Sequence, residues 1–193
     1  CQFPLAAPSA NLSGRPSPTR AGHVERTLWG RIAAILDGGQ TTIGIESTVI
    51  DLRSERPKLL RPGAISIDDL RAIIGEVAAK RPLGDAASPG LRHRHYQPVD
   101  INLRLANREM IESQWASAAG IACSQRLALE LGERRAPTWI MPDTPGPYAA
   151  VFYDRLYTME HSGVTEVYLQ RPPQTGEWQA VNDRLTRAAG ATP

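Results

Sequence analysis

The chain has 193 residues, enough for one large domain or two small ones, either of which can bury a core. Its formal net charge is only +2, with Lys almost absent beside Arg, so charge neither demands nor excludes a nucleic-acid partner. Cys1 and Cys123 lie far apart without a CxxC motif, which argues against a zinc site or a disulfide framework, and no apolar run approaches the length of a membrane span. A cytoplasmic protein is the simplest fit.

Residues Cys1 to Ala7 read as the end of a buried strand cut free of its upstream context, and without an initiator Met the chain reads as a fragment. The next stretch crowds Ser9, Asn11, Ser13, Gly14, Ser17 and Thr19 together. Ser17 and Pro18 form an N-cap and N1 pair, and Ala21, Val24 and Leu28 recur on one helical face. That helix start is either an ordinary capped turn or a place for an anion, and one serine can serve both. Ile32 to Leu36 predicts a short strand, stopped by Asp37-Gly38-Gly39. Thr48 to Leu52 and Lys58 to Arg61 predict two more, the second ended by Pro62-Gly63. Ser66 then caps a helix with Asp68 and Asp69 in its first turn, where the macrodipole favours them, and Leu70, Ile73, Ile74 and Val77 form its expected buried stripe.

Residues 80–98 break both periodicities with prolines, glycines and a dense Arg/His cluster, the composition of a linker. Beyond Val99 the rhythm is regular. Ile101, Leu103 and Leu105 alternate, and Ile111, Trp115 and Ala118 follow helical spacing. Gly120 to Cys123 is strand-like, and Ser124 caps a helix carrying Leu127 and Leu131. Thr138 to Met141 is a strand, and Ala149, Phe152, Tyr153 and Leu156 mark a helix. Glu166 to Leu169 is a further strand, and Val181, Leu185 and Ala188 mark the last helix. Strands alternating with helices on short connections imply an α/β fold with a mostly parallel sheet.

Four blocks stand in a fixed order: Pro8-Ser9-Ala10-Asn11-Leu12-Ser13-Gly14 with Ser17-Pro18-Thr19, Gly44-Ile45-Glu46-Ser47-Thr48-Val49, Leu60-Arg61-Pro62-Gly63, and Arg94-His95-Tyr96-Gln97-Pro98. Together they resemble the threonylcarbamoyl-AMP synthases, the YrdC-like tRNA-modification enzymes, in their long two-domain form. The resemblance runs from Pro4 to Ala189 and implies that the chain opens in the middle of the catalytic domain. It implies the C-terminal half of a YrdC-like domain over residues 1–79, a linker covering the active site over 80–98, and a small Rossmann-like domain over 99–193.

The implied reaction joins L-threonine, bicarbonate and ATP into threonylcarbamoyl-AMP and releases pyrophosphate, the first step of threonylcarbamoyladenosine formation in tRNA. Such a transfer depends on positioning and electrostatics, so hydroxyls, arginines and magnesium are expected, with no protein nucleophile. The chain shows no Ser-His-Asp set and no metal-ligand spacing. The resemblance implies ATP contacts at Ser9, Ser17, Arg61 and Tyr96, and L-threonine contacts at Ala7 and Ser47. Arg61 suits phosphate by its planar pair of donors, and Tyr96 offers a ring and a hydroxyl. His93 stands where the family often has tyrosine.

Other residues carry plainer expectations. Asn11 shapes its loop through an Asx turn. Glu46 either orients a donor or holds magnesium through water. Asp183 and Arg184 form a helix-terminal charge pair, and Pro172 to Gly176 a loop. The product would pass to tRNA threonylcarbamoyl transferase proteins. The competing readings are an RNA-binding module using its arginine-rich loops and a regulatory remnant without catalysis; against RNA, the basic residues are scattered and no stacking aromatic motif joins them.

Overall fold

The computed structural model describes residues 2–78 and 96–190. In the first stretch, α1 (Ala21–Leu28) is followed by the antiparallel pair β1 (Val49–Asp51) and β2 (Lys58–Arg61), and then by α2 (Ile67–Ile74). The helix cap foreseen at Ser66 is formed as a capping box: its hydroxyl accepts from the Asp69 N–H, and the Asp69 carboxylate accepts from the Ser66 N–H. Leu59, Ile67 and Val77 make a small core beneath this layer.

Residues 96–190 carry β3 (Asn102–Ala106), α3 (Arg108–Gln114), β4 (Ile121–Ser124), α4 (Gln125–Leu131), β5 (Thr138–Met141), α5 (Pro145–Glu160), β6 (Glu166–Gln170), a 3₁₀ turn at Gly176–Trp178 and α6 (Gln179–Ala188). The strands form a four-stranded parallel sheet in the order β3-β6-β4-β5. Successive residues of β4 face opposite ways. Ile121 and Cys123 join Ile111 of α3 and Leu127 of α4, whereas Ala122 joins Met141, Val167 and the α5–α6 side. A strand buried on both faces has no polar side, which is why β4 reads as an unbroken apolar run. The result is the expected Rossmann-like sheet with helices on both faces.

Helix α5 is buried nearly all round, including Tyr148, Phe152, Tyr153, Asp154, Leu156, Tyr157 and Met159. One side packs on the sheet; the other receives residues 15–46. At Gly44 the backbones of the two halves meet closely. The Gly44 φ is +77°, and a Cβ there would lie 2.4 Å from the Ala149 carbonyl oxygen, so only glycine fits the crossing.

Four sequence expectations fail in the first stretch. Helix α1 starts after Arg20, with no side-chain cap, so Ser17 is not its N-cap. Ile32 to Leu36 forms no strand; no neighbouring strand among the described residues pairs with it, and Leu36 is 96% exposed. Phe3 and Leu5 are likewise exposed and outside any strand. On α2 the inward side is Ile67 and Leu70, leaving Ile73 and Ile74 exposed. Among the described residues, no helix is long and apolar enough to cross a membrane.

Candidate functional site

Glu46 sits at the junction of the two halves, in the irregular stretch just before β1. Its carboxylate accepts from the Ser17 hydroxyl at 2.8 Å, from the Tyr153 hydroxyl at 3.0 Å and from Arg184 Nε at 2.9 Å. Arg184 Nη2 also reaches the Glu46 carbonyl at 3.4 Å, and Nη1 donates to Asp183 at 3.0 Å. The Arg184 side chain is fully buried and that of Glu46 is 15% exposed. Burial works against charge on Glu46, but Arg184 and the Ser17 hydrogen bond outweigh it and hold the carboxyl below its ordinary value. Burial likewise opposes the Arg184 charge, yet the Tyr153 hydroxyl and Glu46 beside it keep the guanidinium above its ordinary value.

Tyr96 closes the cluster. It is buried, its ring stacks on Tyr153 with centroids 5.4 Å apart, and the Arg184 guanidinium lies over it at 5.7 Å. Its φ of +69° is costly for a bulky residue, so its surroundings hold it there. Burial, then the Glu46 charge, pushes the Tyr96 hydroxyl up to about 12, and it stays protonated at neutral pH. Next along the chain from Glu46, Ser47 receives Arg61: Nε donates to the Ser47 carbonyl at 3.0 Å and Nη2 to its hydroxyl at 3.2 Å. Gly63 permits this approach, since a Cβ there would lie 2.3 Å from the Thr48 nitrogen.

Of the residues singled out in the sequence, Ser17, Ser47, Arg61 and Tyr96 are thus linked through Glu46 and its neighbours. Ala7 and Ser9 lie on the exposed first segment, where the Ser9 hydroxyl donates to Asn11 Oδ1. Asn11 does shape its loop, but by donating Nδ2 to the Leu12 and Arg15 carbonyls at 3.1 and 3.0 Å rather than through an Asx turn. The linker residues His93, Arg94 and His95 fall outside the described residues. The open choice at Glu46 resolves towards orientation of donors: both its oxygens are engaged and a cation stands against them, so it does not fit as a magnesium ligand. Among the described residues, no cluster of three or more metal-ligating side chains occurs.

Arg184 does pair with Asp183, as expected, but it is a buried residue rather than a surface charge, and the sequence holds a signal for that. It falls with Val181, Leu185 and Ala188 on the i, i+3, i+4, i+7 face of α6 that meets the core. An arginine on that stripe needs a buried anion, and Glu46 supplies it.

A family model for the threonylcarbamoyl-AMP synthase C-terminal domain matches residues 65–190, and the Sua5/YciO/YrdC model, described as telomere recombination, matches residues 1–63. The chain belongs to the threonylcarbamoyl-AMP synthase family. The Bacillus subtilis threonylcarbamoyl-AMP synthase is 36% identical to it, over 97% of this chain and 58% of the relative. The Pyrococcus abyssi enzyme is 33% identical over the same shares. The crystal structure of P. abyssi Sua5 complexed with L-threonine matches with a TM-score of 0.80 at 32% identity, covering 95% of this chain and 57% of that one. A variant of the same protein, with alanine at a histidine and at the tyrosine after it, matches at 0.78 and 30%, covering 95% and 56%. The chain therefore spans 58% of the length of these two relatives.

Proposed function

We propose that this chain forms part of an L-threonylcarbamoyladenylate synthase, in which L-threonine and bicarbonate give a carbamate with loss of water. A carbamate oxygen then attacks the α-phosphorus of ATP, the bond to the β-phosphate bridging oxygen breaks, and pyrophosphate leaves. The observation that carries this reading, beside family membership, is the joining of Ser17, Ser47, Arg61 and Tyr96 around Glu46. Hydroxyls and a guanidinium held in fixed positions are the groups that a phosphoryl-type transfer needs to orient substrate and stabilise charge on phosphate oxygens. Ser17, Arg61 and Tyr96 are assigned to ATP together with Ser9, and Ser47 to L-threonine together with Ala7. The relative crystallised with L-threonine supports threonine as the amino-acid substrate. His95-Tyr96 is the single His-Tyr pair of this sequence, matching the type of pair altered in the P. abyssi variant.

Magnesium would accompany ATP on its phosphates. We place the protein in the cytoplasm, where ATP and tRNA meet, with tRNA threonylcarbamoyl transferase proteins taking the product onward. The division into 1–79, a linker at 80–98 and 99–193 is proposed on the same footing, supported by two sheets that share no strand. The RNA-binding reading is weaker: Arg15, Arg20, Arg71, Arg104, Arg108, Arg184 and Arg187 all stand in ion pairs and so have less charge to offer phosphates.

The test is pyrophosphate release from ATP with L-threonine and bicarbonate, using a full-length protein that contains this chain. Release should depend on both co-substrates. Arg61→Ala removes a charge-assisted contact, a loss of about 1.5–3 kcal/mol, and so lowers kcat/KM for ATP roughly ten- to hundredfold. Tyr96→Phe should do less than Tyr96→Ala, because the ring keeps its stack on Tyr153. Release independent of L-threonine would refute the reaction, and wild-type kinetics in all three folded variants would remove these residues from the site.

A further inference from the structure

A fully buried arginine in the last helix is costly for a small domain to carry. Desolvating a guanidinium is repaid only by well-placed acceptors. Within residues 96–190 Arg184 finds Asp183, which is also held by Arg187 at 3.0 Å. Its other charged acceptor, Glu46, belongs to the first half of the chain. The side chain thus lies where it can act on the site from outside it.

Resting on the function proposed above, we propose that Arg184 is a positioning residue of the nucleotide site, acting through Glu46 and Tyr96. From its guanidinium one contact leads to the Glu46 carboxylate and a second to the hydroxyl of Ser17. Its hold on the Glu46 carbonyl fixes the backbone just before Ser47, whose carbonyl and hydroxyl in turn seat Arg61. Its face lies over Tyr96, which stacks on Tyr153, and Tyr153 closes the circuit by donating to Glu46. Three residues assigned to ATP are therefore set by one side chain of the C-terminal domain. The Rossmann-like domain thereby orients the site through α6 without touching substrate.

Two measurements test this. In the 193-residue chain, amide hydrogen exchange is followed in wild type, Arg184→Met and the double variant Glu46→Gln/Arg184→Met, which removes both buried charges and guards against simple misfolding. Exchange across residues 44–48 should rise at least about tenfold in both variants while β4 and β6 keep their protection. In the full-length protein, Arg184→Met should raise KM for ATP by about tenfold with a smaller effect on kcat, and Arg184→Lys should recover part of the loss. Unchanged exchange at 44–48, or an equal rise throughout β3–β6, overturns the proposal. So does an unaltered KM for ATP in Arg184→Met, and if Arg61→Ala still raises KM, the proposed activity survives that result. Should the full-length protein release no pyrophosphate, the activity falls and exchange alone decides whether Arg184 holds the loop.

Discussion

Glu46 stays ionised in a place where burial alone would favour the neutral acid, because Arg184 and the Ser17 hydroxyl converge on it. Its native pKa lies below the ordinary 4.5, so the folded state binds its proton less readily than the unfolded chain does. The contribution of the contact is therefore complete above about pH 4.5 and is lost as acid takes the solution through the lower native value. His23 adds a separate slope. Burial foremost, with Arg20 beside it, depresses its pKa below 6.5 despite the pull of Asp154, so stability begins to fall once the pH drops below 6.5. Urea midpoints measured from about pH 7 to about pH 3 should show a steep acid limb in wild type that is shallower in Glu46→Gln, while the His23 limb is common to both. Equal acid limbs would show that Glu46 is not the titrating group.

At the scale of elements, the crossing of residues 43–46 over α5 is a tight joint between the two halves. Gly44→Ala asks for a positive φ from a residue with a Cβ and places that carbon 2.4 Å from the Ala149 oxygen and 2.6 Å from Ala150. Overpacking of this kind costs roughly 1–3 kcal/mol, so thermal unfolding should show a clear loss, together with weakened protection of residues 44–48. An unchanged melting temperature would mean that the crossing is looser than its geometry indicates. The same joint shows what the sequence could and could not say. The parallel sheet was legible because β4, β5 and β6 alternate with helices of clear apolar spacing, one of them, α4, capped by Ser124, whose hydroxyl accepts from the Leu127 N–H at 3.2 Å. The joint was not legible, because Glu46 and Arg184 are far apart in the chain: the apolar stripe of α6 signals that Arg184 needs a buried anion but not which residue supplies it. Ser17 misled for a related reason: a serine before a proline satisfies the local rule for a cap, but a carboxylate brought in by tertiary packing claimed its hydroxyl.

Across the whole molecule the two halves differ in how they are held. Residues 96–190 bury apolar side chains on both faces of a sheet, with Ile111, Ile121, Phe152, Leu156, Val167 and Leu169 all at 0% exposure. Residues 2–78 have the small core of Leu59, Ile67 and Val77, while Trp29 and Ile73 remain 77% and 82% exposed. A two-stranded antiparallel pair is marginal by itself in water. What orders the first half is its contact with α5: Arg15 with Glu160 at 2.6 Å, Arg20 with Asp154 at 2.7 Å, His23 stacked on Tyr157, the Tyr157 hydroxyl on the Pro16 carbonyl, and the Glu46 cluster. These contacts are mostly polar and directional, so they fix a segment against a surface that already exists rather than create a core. The expectation is asymmetric. Residues 96–193 expressed alone should unfold cooperatively in urea, whereas residues 1–78 alone should show no sigmoidal transition. A cooperative transition in the isolated first stretch would mean that its own core suffices and that α5 is a neighbour rather than its support.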